Sequence, residues 1–237
     1  MDFAKALNAI LEALPYMLSG TWWTVALVLG AMGLGLLMGV PLAVGQVYGR
    51  TWTRHAIGGY VWLFRGVPVL VQLYLFYFGL LTLLSRAFPW VAAVGLDSAF
   101  AAAILVLGLT SAAYQSQIFR GAIRTLPQGQ LKAARALGMS DFTAITTIIL
   151  PQAMRLAIPA WSNEYSIILK DSALAFVIGV LELMSRTRSV AATSHQPLPL
   201  ALFAGLMFFI LTWLGIRALR GLERKVRIPG YSQEGAI

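Results

Sequence analysis

Four stretches of this 237-residue chain, 13–49, 66–85, 98–119 and 189–216, contain no Asp, Glu, Lys or Arg. Each is long enough to cross about 30 Å of hydrocarbon, which takes roughly 20 helical residues. A fifth crossing is expected within 142–181, where Arg155, Glu164, Lys170 and Asp171 interrupt the apolar run. Runs of this length exclude a membrane barrel, whose strands need only about 10 alternating residues. The expected class is therefore an all-α membrane protein with about five transmembrane helices. With 59% hydrophobic and 11% charged residues, the composition leaves little for a soluble core.

The formal net charge of +9 could point to nucleic acid, but its distribution points to a membrane. If the spans alternate, 13 of the 18 basic residues fall on one side: Arg50, Arg54, Arg65, Arg120, Arg124, Lys132, Arg135 and Arg155, then Arg217, Arg220, Arg224, Lys225 and Arg227. Such asymmetry marks the cytoplasmic face and places the N-terminus outside and the C-terminus in the cytoplasm. The basic excess sets topology, with a secondary role at lipid headgroups, and no nucleic-acid partner is expected. No cysteine is present, so disulfides and thiol-based metal sites are excluded. Glu12 and Pro15 interrupt the first apolar run, so no cleavable leader is expected.

Taken in order, residues 1–19 carry Phe3, Leu7, Ile10, Leu11 and Leu14 at helical spacing. They read equally as an amphipathic helix on the outer surface or as an extension of the first span. A transmembrane domain follows over 20–222, and a cytoplasmic tail over 223–237. In the first span Gly35 and Gly39 lie one turn apart and permit close helix approach. Pro41 is expected to kink that span, and Trp22 and Trp23 suit the outer interface. Arg65 is expected to snorkel at the cytoplasmic edge of the second.

The interval 129–151 differs from the rest in carrying Lys132, Arg135 and Asp141 around a Gly138-Met139-Ser140 break. Ala133, Ala134, Arg135 and Ala136 favour a helix that Gly138 ends. Ser140 can cap a second helix running towards Leu150, with the fourth span beginning after Pro151. Two short helices at an angle form a knob at a membrane face, a shape suited to docking a soluble partner.

Ala133-Ala134, Gly138, Ile148 and Leu150-Pro151 resemble the E-A-A-x3-G-x9-I-x-L-P coupling loop of permease subunits in binding-protein-dependent ABC importers. Lys132 stands where that family has Glu. Arg65-Gly66-Val67-Pro68, with Val71-Gln72, resembles the R-G-x-P-x-x-V-Q segment of its polar amino-acid branch, which includes histidine, glutamine and arginine permeases. The stretch Ala113-Tyr114 to Ile123 is similar to A-Y-x-x-E-I-x-R-G-x-I, with Gln117 at the Glu position, and 158–179 looks like the branch's L-P-A-x-S-N-E segment. The likeness covers most of 63–179. It implies a type I ABC importer permease fold in the bacterial cytoplasmic (inner) membrane. It further implies a second permease subunit, identical or homologous, an ABC ATPase homodimer holding ATP and Mg, and an extracytoplasmic amino-acid-binding protein. Lys132, Ala133, Ala134, Arg135, Gly138, Met139 and Ser140 would then meet the ATPase, and Lys170 and Asp171 would line the path and its outer gate.

Substrate residues are read from chemistry. Glu164 lies 13 residues past Pro151, roughly 20 Å along a helix, near the bilayer midplane. An acid there costs at least about 2.5 kcal/mol unless it faces a cavity or a partner. Trp161 shares its face, and with Asn163 the group could hold an ammonium. Gln72 brings an amide into the second span, where it must bond a neighbouring helix, water or substrate. The bland alternative ties Glu164 to Lys170 or a neighbouring helix. No G-x4-G-K-[ST] phosphate loop is present, so ATP hydrolysis would reside elsewhere and the chain is not expected to be an enzyme or to carry a cofactor or metal. His55 and His195 read as solvated edge residues. The competing reading is a self-contained secondary transporter with Glu164 as a proton or cation site; a membrane-embedded scaffold or enzyme is a third. A docking knob favours the importer.

Overall fold

The computed structural model describes residues 3–226, and among them every regular element is helical. In chain order these are α1 (Phe3–Tyr48), α2 (Thr51–Gly66), α3 (Val69–Tyr74), a π-helical segment (Leu75–Leu81), α4 (Thr82–Ala87), α5 (Pro89–Ala93) and α6 (Ala99–Thr125). Then come α7 (Gly129–Ala136), α8 (Asp141–Ala144), a π turn (Ile145–Ile149), α9 (Leu150–Asp171), a 3-10 segment (Ser172–Ile178), α10 (Leu183–Ser194) and α11 (Pro197–Val226). Five helical stretches are long and apolar enough to cross a membrane: Ile10–Tyr48, Val69–Ala87, Ala99–Thr125, Asp141–Ile178 and Pro197–Val226. The five expected spans are all there.

The bundle is built around α6. Ala102, Ala103, Ala112 and Ala113 on this helix are fully buried, so neighbouring backbones approach closely on more than one side. α1 lies along it. A Cβ built on Gly35 would fall 2.5 Å from Gln115 Nε2 and 2.8 Å from Ser111 Oγ, and one on Gly39 would fall 2.9 Å from Gln115 Cβ. The small-residue seam read in the first span therefore exists to admit two polar side chains of α6. Away from the knob, Leu27, Val28 and Ala31 pack with Ala103, Leu107 and Ile168. At the knob end Ala43, Phe119, Ile123, Ile149 and Ala153 form a second apolar cluster.

In three places the structure adds local detail to that reading. Residues 3–19 are the first part of α1, which runs unbroken for 46 residues through Pro15 and Pro41. At 1.5 Å per residue α1 is roughly 69 Å long, well beyond the bilayer core. The connection after α1 holds the 16-residue α2. Its Arg54 Nη2 donates to Val47 O at 3.2 Å at the end of α1, and Tyr60 Oη donates to Leu109 O at 2.6 Å on α6. Finally, no break separates the knob from the fourth span. The chain is helical from Asp141 to Ile178, with Leu150 N–H bonded to Ile145 O across the π turn. Pro151 lacks an N–H and its ring crowds the preceding turn; a widened turn just before it removes that conflict. The tail expected over 223–237 is helical through Val226, and the rest lies outside the described residues.

Opposite the knob, α10 is fastened to α1. Leu183 N donates to Thr24 Oγ1 at 3.1 Å, and Arg186 Nη1 donates to Ser19 Oγ at 2.6 Å with its guanidinium 4.6 Å above the Tyr16 ring. Glu182, fully buried, caps α10 by accepting from Met184 N and Ser185 N, each at 2.6 Å. Burial pushes this carboxyl up to about 7, partly offset by the two backbone N–H donors. A carboxyl raised on folding binds more protons folded than unfolded between its ordinary value near 4.5 and 7. Its contribution to stability is thus full at acid pH and is lost as pH rises through that window. The thermal midpoint of the detergent-solubilised protein should fall between pH 5 and pH 8, and Glu182→Gln should flatten that part of the dependence.

Candidate functional site: a buried polar chain and an exposed knob

α6 and α9 share a chain of polar side chains inside the bundle. Glu164, 2% exposed, accepts a hydrogen bond from Ser111 Oγ at 2.9 Å. Ser111 Oγ in turn accepts from Gln115 Nε2 at 3.0 Å, which also donates to Met32 O on α1 at 3.2 Å. Gln115 Oε1 accepts from Trp161 Nε1 at 2.9 Å, which closes the chain back onto α9. Glu164 and Trp161, grouped from sequence by their i, i+3 spacing, are joined through two residues that sequence reasoning missed. The available signal was Ser111 and Gln115 at i, i+4 on one face of α6, toward the Gly35/Gly39 seam of α1.

Other expected members lie elsewhere. Asn163 is exposed, on a different face of α9 from buried Glu164. It continues an exposed line with Arg155 and Pro159, and Lys170 is exposed further along α9 with Asp171 half-buried beside it. Gln72 belongs to a separate cluster. Its Nε2 donates to Phe64 O at 2.9 Å and Val67 O at 2.8 Å, and its Oε1 accepts from Thr110 Oγ1 at 2.9 Å. The amide thus staples the Arg65–Pro68 turn to α6, the physical content of that motif. Gln72→Leu leaves two carbonyls unpaired inside the bundle, at about 1–3 kcal/mol for each unsatisfied group. Its thermal midpoint in detergent should drop by several degrees, with Gln72→Glu no substitute because a carboxylate cannot donate. Arg65 is exposed, and its guanidinium lies 4.6 Å over the ring of Tyr114 on α6.

The knob has the two arms expected. Ala134 is buried beneath it, whereas Lys132, Ala133 and Arg135 are exposed. Gly138 ends α7 with φ +82°, and its N–H and that of Met139 close on Arg135 O and Ala134 O, each at 3.0 Å. This is a left-handed helix stop that glycine takes without strain. Ser140 Oγ caps the second arm by accepting from Thr143 N at 3.2 Å. Arg135 grips Asp141 through two parallel bonds of 2.7 and 2.8 Å, the charges sitting at the helix ends whose dipoles suit them. Gln130 and Gln152 exchange amide bonds of 3.0 Å, tying the base of α7 to α9. Leu137 and Phe142, 84% and 77% exposed, crown the tip. Gln117 faces inward instead, donating to Gln46 Oε1 at 2.9 Å and accepting from Arg120 at 2.8 Å. Among the described residues no group of His, Asp and Glu could hold a metal.

Residues 31–228 match the family described as binding-protein-dependent transport system inner membrane component. The chain is 36% identical over 217 residues to the histidine/lysine/arginine/ornithine transport system permease protein HisM of Salmonella typhimurium, covering 89% of each. It is 37% identical over 220 residues to the octopine transport system permease protein OccQ of Rhizobium meliloti, covering 89% of this chain and 93% of that one. Among solved structures it resembles an amino acid ABC transporter crystallised with histidines, at 29% identity, TM-score 0.77 and coverage of 92% and 97%. The MetNI methionine ABC transporter, at 19% identity and TM-score 0.76, shares the fold. An all-helical, five-span chain with this knob and these relatives belongs to the binding-protein-dependent transport system inner membrane components: it is a permease subunit of an ABC importer.

Proposed function

We propose that this permease carries a polar or charged amino acid into the cytoplasm by alternating access, with Glu164 meeting the substrate's ammonium. The observation that carries the reading is a fully enclosed carboxylate in a membrane-spanning helix, held by a hydroxyl and, among the described residues, with no basic side chain in ion-pair contact. An acid at that depth is retained where it serves a polar cargo. The permeases HisM and OccQ, whose names state amino acids and octopine, are similar over most of the chain. Arg155, Asn163 and Lys170 form an exposed polar face on α9, which is costly against lipid. That face is assigned to a water-filled path shared with a second permease subunit, with Trp161 behind it and Lys170 and Asp171 at the outer gate.

The basic bias of its side supports a cytoplasmic knob and C-terminus. Leu137 and Phe142 at its tip, with Lys132, Ala133, Arg135, Met139 and Ser140 around them, form the docking face for a separate ATPase that binds ATP and Mg. Because the second arm is continuous with α9, displacement of the tip levers the helix that carries Glu164. A binding protein outside delivers the substrate. Reconstitution tests the whole reading. Proteoliposomes holding the permease–ATPase complex should accumulate labelled L-arginine, L-lysine or L-histidine only with ATP and the binding protein. Accumulation by the chain alone under a proton gradient would replace the importer by a secondary transporter.

A further inference from the structure

Arg65 stands in the last turn of α2. Its guanidinium stacks on Tyr114, 4.6 Å from the ring centre. Tyr114 lies six residues before Arg120 on α6, roughly 9 Å deeper in the bundle at 1.5 Å per residue. The turn that carries it is pinned on both sides, since the Gln72 amide binds the carbonyls of Phe64 and Val67 and is itself held by Thr110. Arg65 is exposed on the bundle surface, and no carbonyl or carboxylate among the described residues accepts from it. A fixed, solvent-facing cation at this depth is costly against lipid and calls for an anion or a water-filled path.

The same face of α6 carries the carboxylate. Ser111 and Tyr114 are three residues apart and share a face; Ser111 holds Glu164 and Tyr114 carries Arg65. A negative and a positive group thus flank one turn of α6. A free amino acid presents the complementary pair on one carbon. Resting on the amino-acid reading above, we infer that Arg65 receives the substrate's α-carboxylate. Stacking on the phenol fixes the plane of the guanidinium and leaves its N–H edge open for a bidentate carboxylate, a geometry lysine cannot reproduce. The site then reads the backbone of an amino acid with two poles, Glu164 for the ammonium and Arg65 for the carboxylate, and leaves the side chain to be selected elsewhere.

The test compares amino acids with the amines left when the carboxylate is removed: L-arginine with agmatine, L-histidine with histamine, L-lysine with cadaverine. Binding is measured on the purified permease–ATPase complex without the binding protein, which would impose its own preference. The unsubstituted complex should bind at least one amino acid of the panel at least about 30-fold tighter than its amine, a difference ordinary for one charge-assisted contact. In Arg65→Gln the two should bind alike, and in Arg65→Lys the preference should be partly restored. A preference kept in Arg65→Gln, or absent from the unsubstituted complex, overturns the assignment while leaving amino-acid transport standing. Loss of amine binding in both variants overturns it too, by showing that Arg65 supports the fold. If the unsubstituted complex binds no amino acid of the panel, the amino-acid reading itself fails and takes this assignment with it.

Discussion

Valine at Gly138 should abolish most ATP-driven uptake while the chain still inserts, folds and reaches its partners. Gly138 stands at φ +82°, and a Cβ built there meets no atom within 4 Å. The penalty therefore comes from the backbone alone, of order 1–3 kcal/mol for a side chain in that region. It is largest for β-branched residues and smallest for asparagine. That amount is a factor of roughly 5–150 in the population of the native knob. The knob is where the cost is felt, because Gly138 closes the first arm, and the exposed, solvent-screened Arg135–Asp141 pair adds little to hold it. Uptake in proteoliposomes should fall in the order Gly, Asn, Ala, Val, with the ratio of ATP hydrolysed to substrate moved rising along the same series. Equal uptake from Gly138→Val would mean that the shape of this turn does not matter to coupling.

Glu164→Gln should be the most damaging change that leaves the protein folded. The amide keeps an oxygen where the carboxylate accepts from Ser111 Oγ at 2.9 Å, so the chain from Glu164 through Ser111 and Gln115 to Trp161 is retained. What goes is the charge. Removing one member of a charge-assisted contact costs about 2–5 kcal/mol, so uptake at subsaturating substrate should drop at least about 30-fold. The thermal midpoint should stay close to that of the parent. Ser111→Ala gives a useful contrast: it removes the hydroxyl that orients Glu164 and keeps the charge, so its loss of uptake should be smaller. Unchanged uptake kinetics in Glu164→Gln would remove Glu164 from the substrate's path.

Much of this architecture was legible because membrane spans are written in long uncharged runs. The knob was legible because charged residues, only 11% of the chain, gather there around a glycine–serine break. α2 was not foreseen, because Arg50, Arg54 and Arg65 break the apolar run on which the spans were read. Continuity through Pro151 was hidden by proline itself, since nothing local announces that the preceding turn widens to accept it. Of the site, Glu164 and Trp161 stood out as rare polar residues with helical spacing. Ser111 and Gln115 did not, because serine and glutamine in an apolar helix often satisfy their own turn, and only the approach of α1 and α9 decides otherwise. Asn163 and Glu164, adjacent in sequence, face apart on α9, so their adjacency alone could not say which groups share one wall.

The central claim is that the polar hairpin lies inside the cell and receives its push from another chain's ATP hydrolysis. The chain has no cysteine, so Leu137→Cys at the exposed tip supplies a single addressable thiol. The decisive measurement is its labelling by a membrane-impermeant maleimide in right-side-out and in inside-out vesicles, with and without the ATPase. Labelling confined to inside-out vesicles and blocked by the bound ATPase is the expected result; labelling from the outside, or labelling indifferent to the ATPase, would contradict it.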